Sequence, residues 1–204
     1  MRLLSRLRES LRPAPIATRA ALRDFLQERS LLIAQKCAID YCRGKTGLAS
    51  HALFTEKPFL DALDVCRWEG YEAVLGDLLI LTEAYLRPHA GPGQRAKLRD
   101  TLVELHGRIL GAGELPAHRP QGWGDAYAAF SLRFQAACAA PPRAAVEVAD
   151  HSARRLFDTL PIHSRMRALD EEVVFGAVRF RMIAVNQELQ RRAAASELVR
   201  ELTA

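Results

Sequence analysis

The chain has 204 residues, of which 49% are hydrophobic and 26% charged, and a formal net charge of +5. That length suits a single domain burying roughly 70% of the surface its unfolded chain would expose, and the composition excludes disordered, fibrous and low-complexity classes. Only four of the 29 basic residues are lysine, and acidic residues interleave with the arginines along most of the sequence, so the positive balance does not point to a nucleic-acid partner.

The first expected element is a short basic amphipathic helix over residues 1–14, where Arg2, Arg6, Arg8 and Arg12 accompany Leu3, Leu4, Leu7 and Leu11 at helical spacing. It lacks the unbroken apolar run of a secretory signal, and no stretch reaches the roughly 18 apolar residues of a membrane span. Docking on its own domain is the expected role, with peripheral membrane contact through residues 1–12 as the alternative. After the "RPAP" break a second helix is predicted from about Thr18 to Arg43, interrupted near Ser30 and ended by "GKTG".

Gly44-Lys45-Thr46 carries the last letters of a phosphate-binding loop. Such a loop needs a glycine five residues earlier, a strand before it and a helix directly after it. Ile39 stands at that position and a helix precedes the tripeptide, so a nucleotide-binding reading fails. Gly44 is expected instead as the left-handed residue closing the second helix, with Arg43 and Lys45 near the negative end of its dipole.

The third helix is predicted from about Glu56 to Leu86, with Thr55 as N-cap, Pro58 in the first turn and Pro88 beyond the end. On a helical wheel Phe59, Leu63, Cys66, Gly70, Val74, Leu81 and Tyr85 form an apolar face, while Asp61, Glu69, Glu72 and Glu83 gather opposite and are expected to be solvated. Arg67 and Asp77 break this division, because both fall among apolar neighbours and so require partners, a cavity or an interface. Ten residues separate them, roughly 15 Å along the axis, too far to pair with each other. Lys36, Asp40 and Arg43 form a polar stripe on the second helix and are the expected partners, with Tyr41, His51 and Tyr71 adding hydrogen-bonding groups. Arg67, Asp77, Tyr41, Lys36, Asp40, His51 and Tyr71 are therefore the candidate ligand-binding residues, suited to a small anion held by Arg67; a packed ionic network fixing helix register is the alternative.

Further helices are expected from Gln94 to Leu110, from Asp125 to Ala139 and from Pro142 to Leu160, with a Pro/Gly-rich loop from Gly111 to Gly124. The last runs from Asp170, as N-cap, to near Glu201. Its apolar residues lie on two sides, Val173, Phe180 and Ala184 on one and Val174, Val178, Met182 and Val185 on the other. That pattern marks a central helix or a dimer interface, and the polar tail from Glu188 is expected to project.

Cys37, Cys42, Cys66 and Cys138 form no Cys-x-x-Cys pair and read as small buried hydrophobes of a reducing cytoplasm. Glu147 with His151 and Glu114 with His118 repeat an i, i+4 spacing that could chelate a metal, but the second pair lies in the Pro-rich loop, and no zinc or di-iron spacing occurs. Neither a metal nor a cofactor is expected.

"AALRDFLQERS" resembles the opening helix of the TetR-type regulators, and Phe54, Lys57 and Leu60 are similar to that family's F-x-x-K-x-x-L stretch. The resemblance implies a three-helix DNA-binding unit ahead of a helical ligand-binding body, and a protruding helix around residues 46–53. The same register, however, puts Asp40, Arg43, Lys45 and Ser50 at core positions of the helix-turn-helix, where burial would cost several kcal/mol.

Together these features predict an all-α, single-domain bundle of about six or seven helices, with the third and last the long ones. The expected function is that of a cytoplasmic, non-catalytic interaction or accessory protein that self-associates or binds a protein partner. A ligand-binding protein or enzyme with a pocket around Arg67 is the first alternative, and a TetR-like regulator the second.

Overall fold

The computed structural model describes residues 14–204; the amphipathic segment predicted over residues 1–14 lies almost wholly outside them. The fold is all-helical. Among the described residues the only β-pairing is an isolated bridge between Ile16 and Ala193, and no helix is long and apolar enough to cross a membrane.

Helix α1 spans Arg19–Thr46 without a break at Ser30, which is buried. The Thr18 hydroxyl caps it by accepting from the Ala21 N–H at 3.2 Å. The helix ends three residues later than the sequence suggests: Gly44 lies inside it in open space, while Gly47, at φ +52°, donates its N–H to the Arg43 carbonyl. Only glycine takes that left-handed turn cheaply. A short 3₁₀ turn follows, and then the four-residue α2, Ser50–Leu53. Helix α3, Lys57–Leu86, has Pro58 in its first turn as predicted, but the cap position falls on Glu56, and the Thr55 hydroxyl donates to the Ala52 carbonyl instead.

Helix α4 spans Arg95–Leu110 and α5 Gly124–Ala139. The segment expected as one helix after Pro142 is divided into α6, Ala145–Val148, and α7, Asp150–Thr159. A short α8, Ser164–Arg167, leads to α9, Glu171–Arg192, and to α10, Ala195–Thr203. The interruption between α9 and α10 has a visible cause. Ile16 donates its N–H to the Arg192 carbonyl and accepts from the Ala194 N–H, at 2.9 and 3.0 Å, so the extended lead into α1 takes the place of helical hydrogen bonds there.

Beyond that break the tail does not project. Ala195, Leu198, Val199 and Leu202 are buried, and the Thr101 hydroxyl of α4 donates to the Leu202 carbonyl at 2.9 Å. One apolar cluster runs from Ile16 to Leu202. Helix α3 lies at its centre, packed by α1, α4, α5, α7, α9 and α10. Two glycines let its neighbours come close: a Cβ on Gly70 would meet Leu156 of α7 at 2.5 Å, and one on Gly76 would meet the Arg133 guanidinium of α5 at 2.6 Å.

Candidate functional site

Surrounding α3 on all sides changes the fate of its charges. Glu69 and Glu83, expected in solvent, are 4% and 2% exposed, Glu72 is buried too, and Asp77 is fully buried. Carboxylates so placed need donors, and arginines from the surrounding elements supply most of them. Glu69 accepts from Arg119 Nε at 2.5 Å and Nη2 at 2.9 Å and from Arg155, and His118 Nε2 lies 2.8 Å from it. Burial alone would raise the Glu69 pKa, but the hydrogen bonds from Arg119, His118 and Arg155 outweigh it and hold the group at about 2. Arg119 also binds Asp125 at 2.8 Å and stacks on Trp123, 4.5 Å from its ring centre. Glu83 is held by Arg87, just past the end of α3, and by Arg99 of α4 at 3.1 Å.

Asp77 receives the guanidinium of Arg133 from α5 and the Ser152 N–H of α7 at 3.1 Å. Burial pushes its carboxyl above the ordinary value against both donors. Glu72 approaches His106 Nε2 at 3.4 Å in a direction that makes no hydrogen bond. His106 is fully buried and stacked on Phe130 with ring centres 4.0 Å apart, and neither ring nitrogen has a partner among the described residues.

The residues proposed from sequence are not gathered in one place. Arg67 is half-buried and meets only Asp64 of its own helix, at 3.5 Å, with its Nε enclosed and unpaired. Its partner does not come from α1, because the polar stripe there turns to α9: Asp40 pairs with Arg181 at 3.0 Å and lies 3.9 Å from the exposed Lys36. Tyr41 donates to Asp170 at 2.8 Å, and Lys45 reaches the same carboxylate at 2.6 Å. Asp170 thus stands at the start of α9 with its carboxylate committed to α1 rather than to capping. Burial and that hydrogen bond push the Tyr41 hydroxyl up. Tyr71 is buried edge-on to Trp68, and burial raises it to about 12. His51 is exposed on α2.

Where the Arg133 guanidinium crosses α3, a groove opens between α5 and the α6–α7 pair. Arg133 and His151 divide it. One pocket of about 380 Å³ is walled by Ile80, Leu81 and Ala84 of α3, Ala136 and Ala137 of α5, and Val148 of α6. The other, about 260 Å³, is lined by Glu72, Arg119, Phe130 and Arg155. Burial, then the Arg133 charge, lower the His151 pKa. Arg67 lines neither pocket. The sequence reading missed Arg119, Arg133, Arg155 and His106. Gly76 was the available signal: on the wheel it falls between Glu83 and Glu69, and glycine inside a helix, about 1 kcal/mol worse than alanine, has its use where another group comes close.

A second feature lies on α9. Val174, Phe175, Val178, Met182, Val185 and Leu189 are buried. On the outer side Val173 and Phe180 are 63% and 73% exposed, and Ile183 follows one turn on, 37% exposed. Ion pairs border this stripe: Arg29–Glu188 at 2.8 Å and Arg181–Asp40 toward α1, Arg179–Asp150 at 2.7 Å toward α7. Leu32, one turn from Arg29 on α1, is exposed as well.

Comparison of the chain with family models, characterised proteins and solved structures gives no match. The class available is the architectural one, an all-helical bundle around a central polar-lined helix, and function rests on the sites alone.

Proposed function

We propose that this chain is a non-catalytic helical interaction protein that self-associates through the outer face of α9. The observation that carries the reading is the stripe of Val173, Phe180 and Ile183 left in solvent on a helix whose opposite side is already core. An apolar centre bordered by polar groups is the anatomy of a protein–protein interface, and contiguous exposed apolar surface marks such sites. Its border of matched ion pairs suits a second copy of the same face, since neither edge carries an excess of one sign. Four unpaired, buried cysteines support a reducing, cytoplasmic setting.

The DNA-binding alternative finds less support. α1 continues unbroken to Thr46, and only the 3₁₀ turn and the four-residue α2 lie between it and α3, among the described residues, where a recognition helix would stand.

Size-exclusion chromatography with light scattering tests the proposal. The expected result is a mass above that of one chain, returned to a single chain by Phe180→Glu. A wild-type chain that stays monomeric at high concentration overturns it.

A further inference from the structure

We infer that the larger pocket of the groove binds a small organic carboxylate with a compact apolar body. Its volume of about 380 Å³ falls within the range of small-molecule sites, and its walls are alkyl side chains and alanines, which favour an apolar body over water. Polar groups stand at its ends, and pairing off their donors and acceptors decides the ligand's charge.

Most of the carboxylates at and behind the walls are committed. Glu83 is held by Arg87 and Arg99, Asp77 by Arg133 and the Ser152 N–H, and Asp150 by Arg179. Glu147 turns back to accept from the Ala144 N–H at 2.9 Å. Donors remain. Arg133 gives a single hydrogen bond, to Asp77, so the other guanidinium edge has no acceptor among the described residues. Arg143, at the mouth, meets only the Glu147 carbonyl at 3.3 Å and pairs with no carboxylate there. A cation would find only the second oxygen of the Glu147 carboxylate, at the mouth, and a neutral apolar guest would leave the free guanidinium edges of Arg133 and Arg143 without an acceptor among the described residues. A carboxylate satisfies them, because two planar guanidinium groups offer paired N–H donors to its two oxygens.

No residue of α9 lines the pocket, and the two sites meet only at Asp150, which lines the pocket and holds Arg179 at the border of the face proposed for self-association. The binding isotherm and the mass of the chain in solution read the two proposals separately.

Titration calorimetry of the full chain with hexanoate, with 1-hexanol as the neutral control, tests the inference. Saturable binding of one hexanoate per chain is expected, with 1-hexanol at least about tenfold weaker, the size of effect a charge-assisted hydrogen bond supplies. Ala84→Leu fills the cavity and Arg143→Gln removes the outer cation while leaving the core untouched; each is expected to weaken hexanoate about tenfold or more. Because Arg143 is exposed, its variant keeps the test decisive even if the cavity-filling one does not fold. No saturable binding below about 10 mM, equal binding of the alcohol, or indifference of hexanoate to both substitutions overturns the inference.

Discussion

Helix α3 encloses carboxylates, whereas α9 holds valine, phenylalanine and isoleucine out in water. Both carry side chains on two sides, and what differs is the number of neighbours. Packed all round, α3 meets arginines from a loop, from α5 and from α7, so its acids become the anchors for everything that covers them. α9 has α1 on one flank and α6 and α7 on the other, and nothing among the described residues over its outer face. Burial follows position in the assembly before it follows polarity, and the cost of enclosing charge is tolerable only where opposite charge arrives with good geometry.

Substitutions that strip one side of this arrangement test the contrast most sharply. Arg133→Met leaves Asp77 enclosed with the Ser152 N–H alone, and a loss of about 3–5 kcal/mol in urea unfolding is expected; adding Asp77→Asn should recover part of it. A loss below about 1 kcal/mol would mean that the pair behaves like a surface bridge.

Acid should act through Glu69. Its folded-state value of about 2 lies below the ordinary 4.5, so its contribution is fully present above pH 4.5 and disappears as pH falls from there toward 2. The expected loss across that window is about 3 kcal/mol, and Glu69→Gln should flatten it in a series of denaturation curves. An unchanged slope in the variant would assign acid sensitivity elsewhere.

Gly76→Ala distinguishes the two helix environments by sign. On a solvated face the change would stabilise by about 1 kcal/mol, but against the Arg133 guanidinium and Phe130 it should destabilise by about 1 kcal/mol or more. Smallest of all should be the effect of Phe180→Glu on unfolding of the single chain, within about 0.5 kcal/mol, even as association is lost.

Much of the fold was legible because local signals agree with the final packing. Pro58 and Pro88 bracket α3, the "GAG" run ends α4, and helical periodicity marks α1, α3, α4, α5 and α9. Breaks that depend on distant contacts were not legible. Nothing near Ala193 announces that Ile16 will bond there, and nothing near Ser30, which is buried inside α1, compels a kink.

For the site, the wheel placed Asp77 correctly inside yet sent Glu69, Glu72 and Glu83 to solvent. A single helix gives no knowledge of who covers its polar side. Arg67 shows the converse: its stem lies half-buried among neighbours, but its charge reaches Asp64 one turn away, a short-range solution that the search for a distant partner overlooked.

The bridge joining Ile16 to the junction of α9 and α10 has a bearing on synthesis. Because Ile16 bonds to Arg192 and Ala194, the lead into α1 lacks those partners until α9 has been translated. Until α10 follows, α4 and α3 lack its cover, so apolar surface stays open to chaperones while the intervening helices are made.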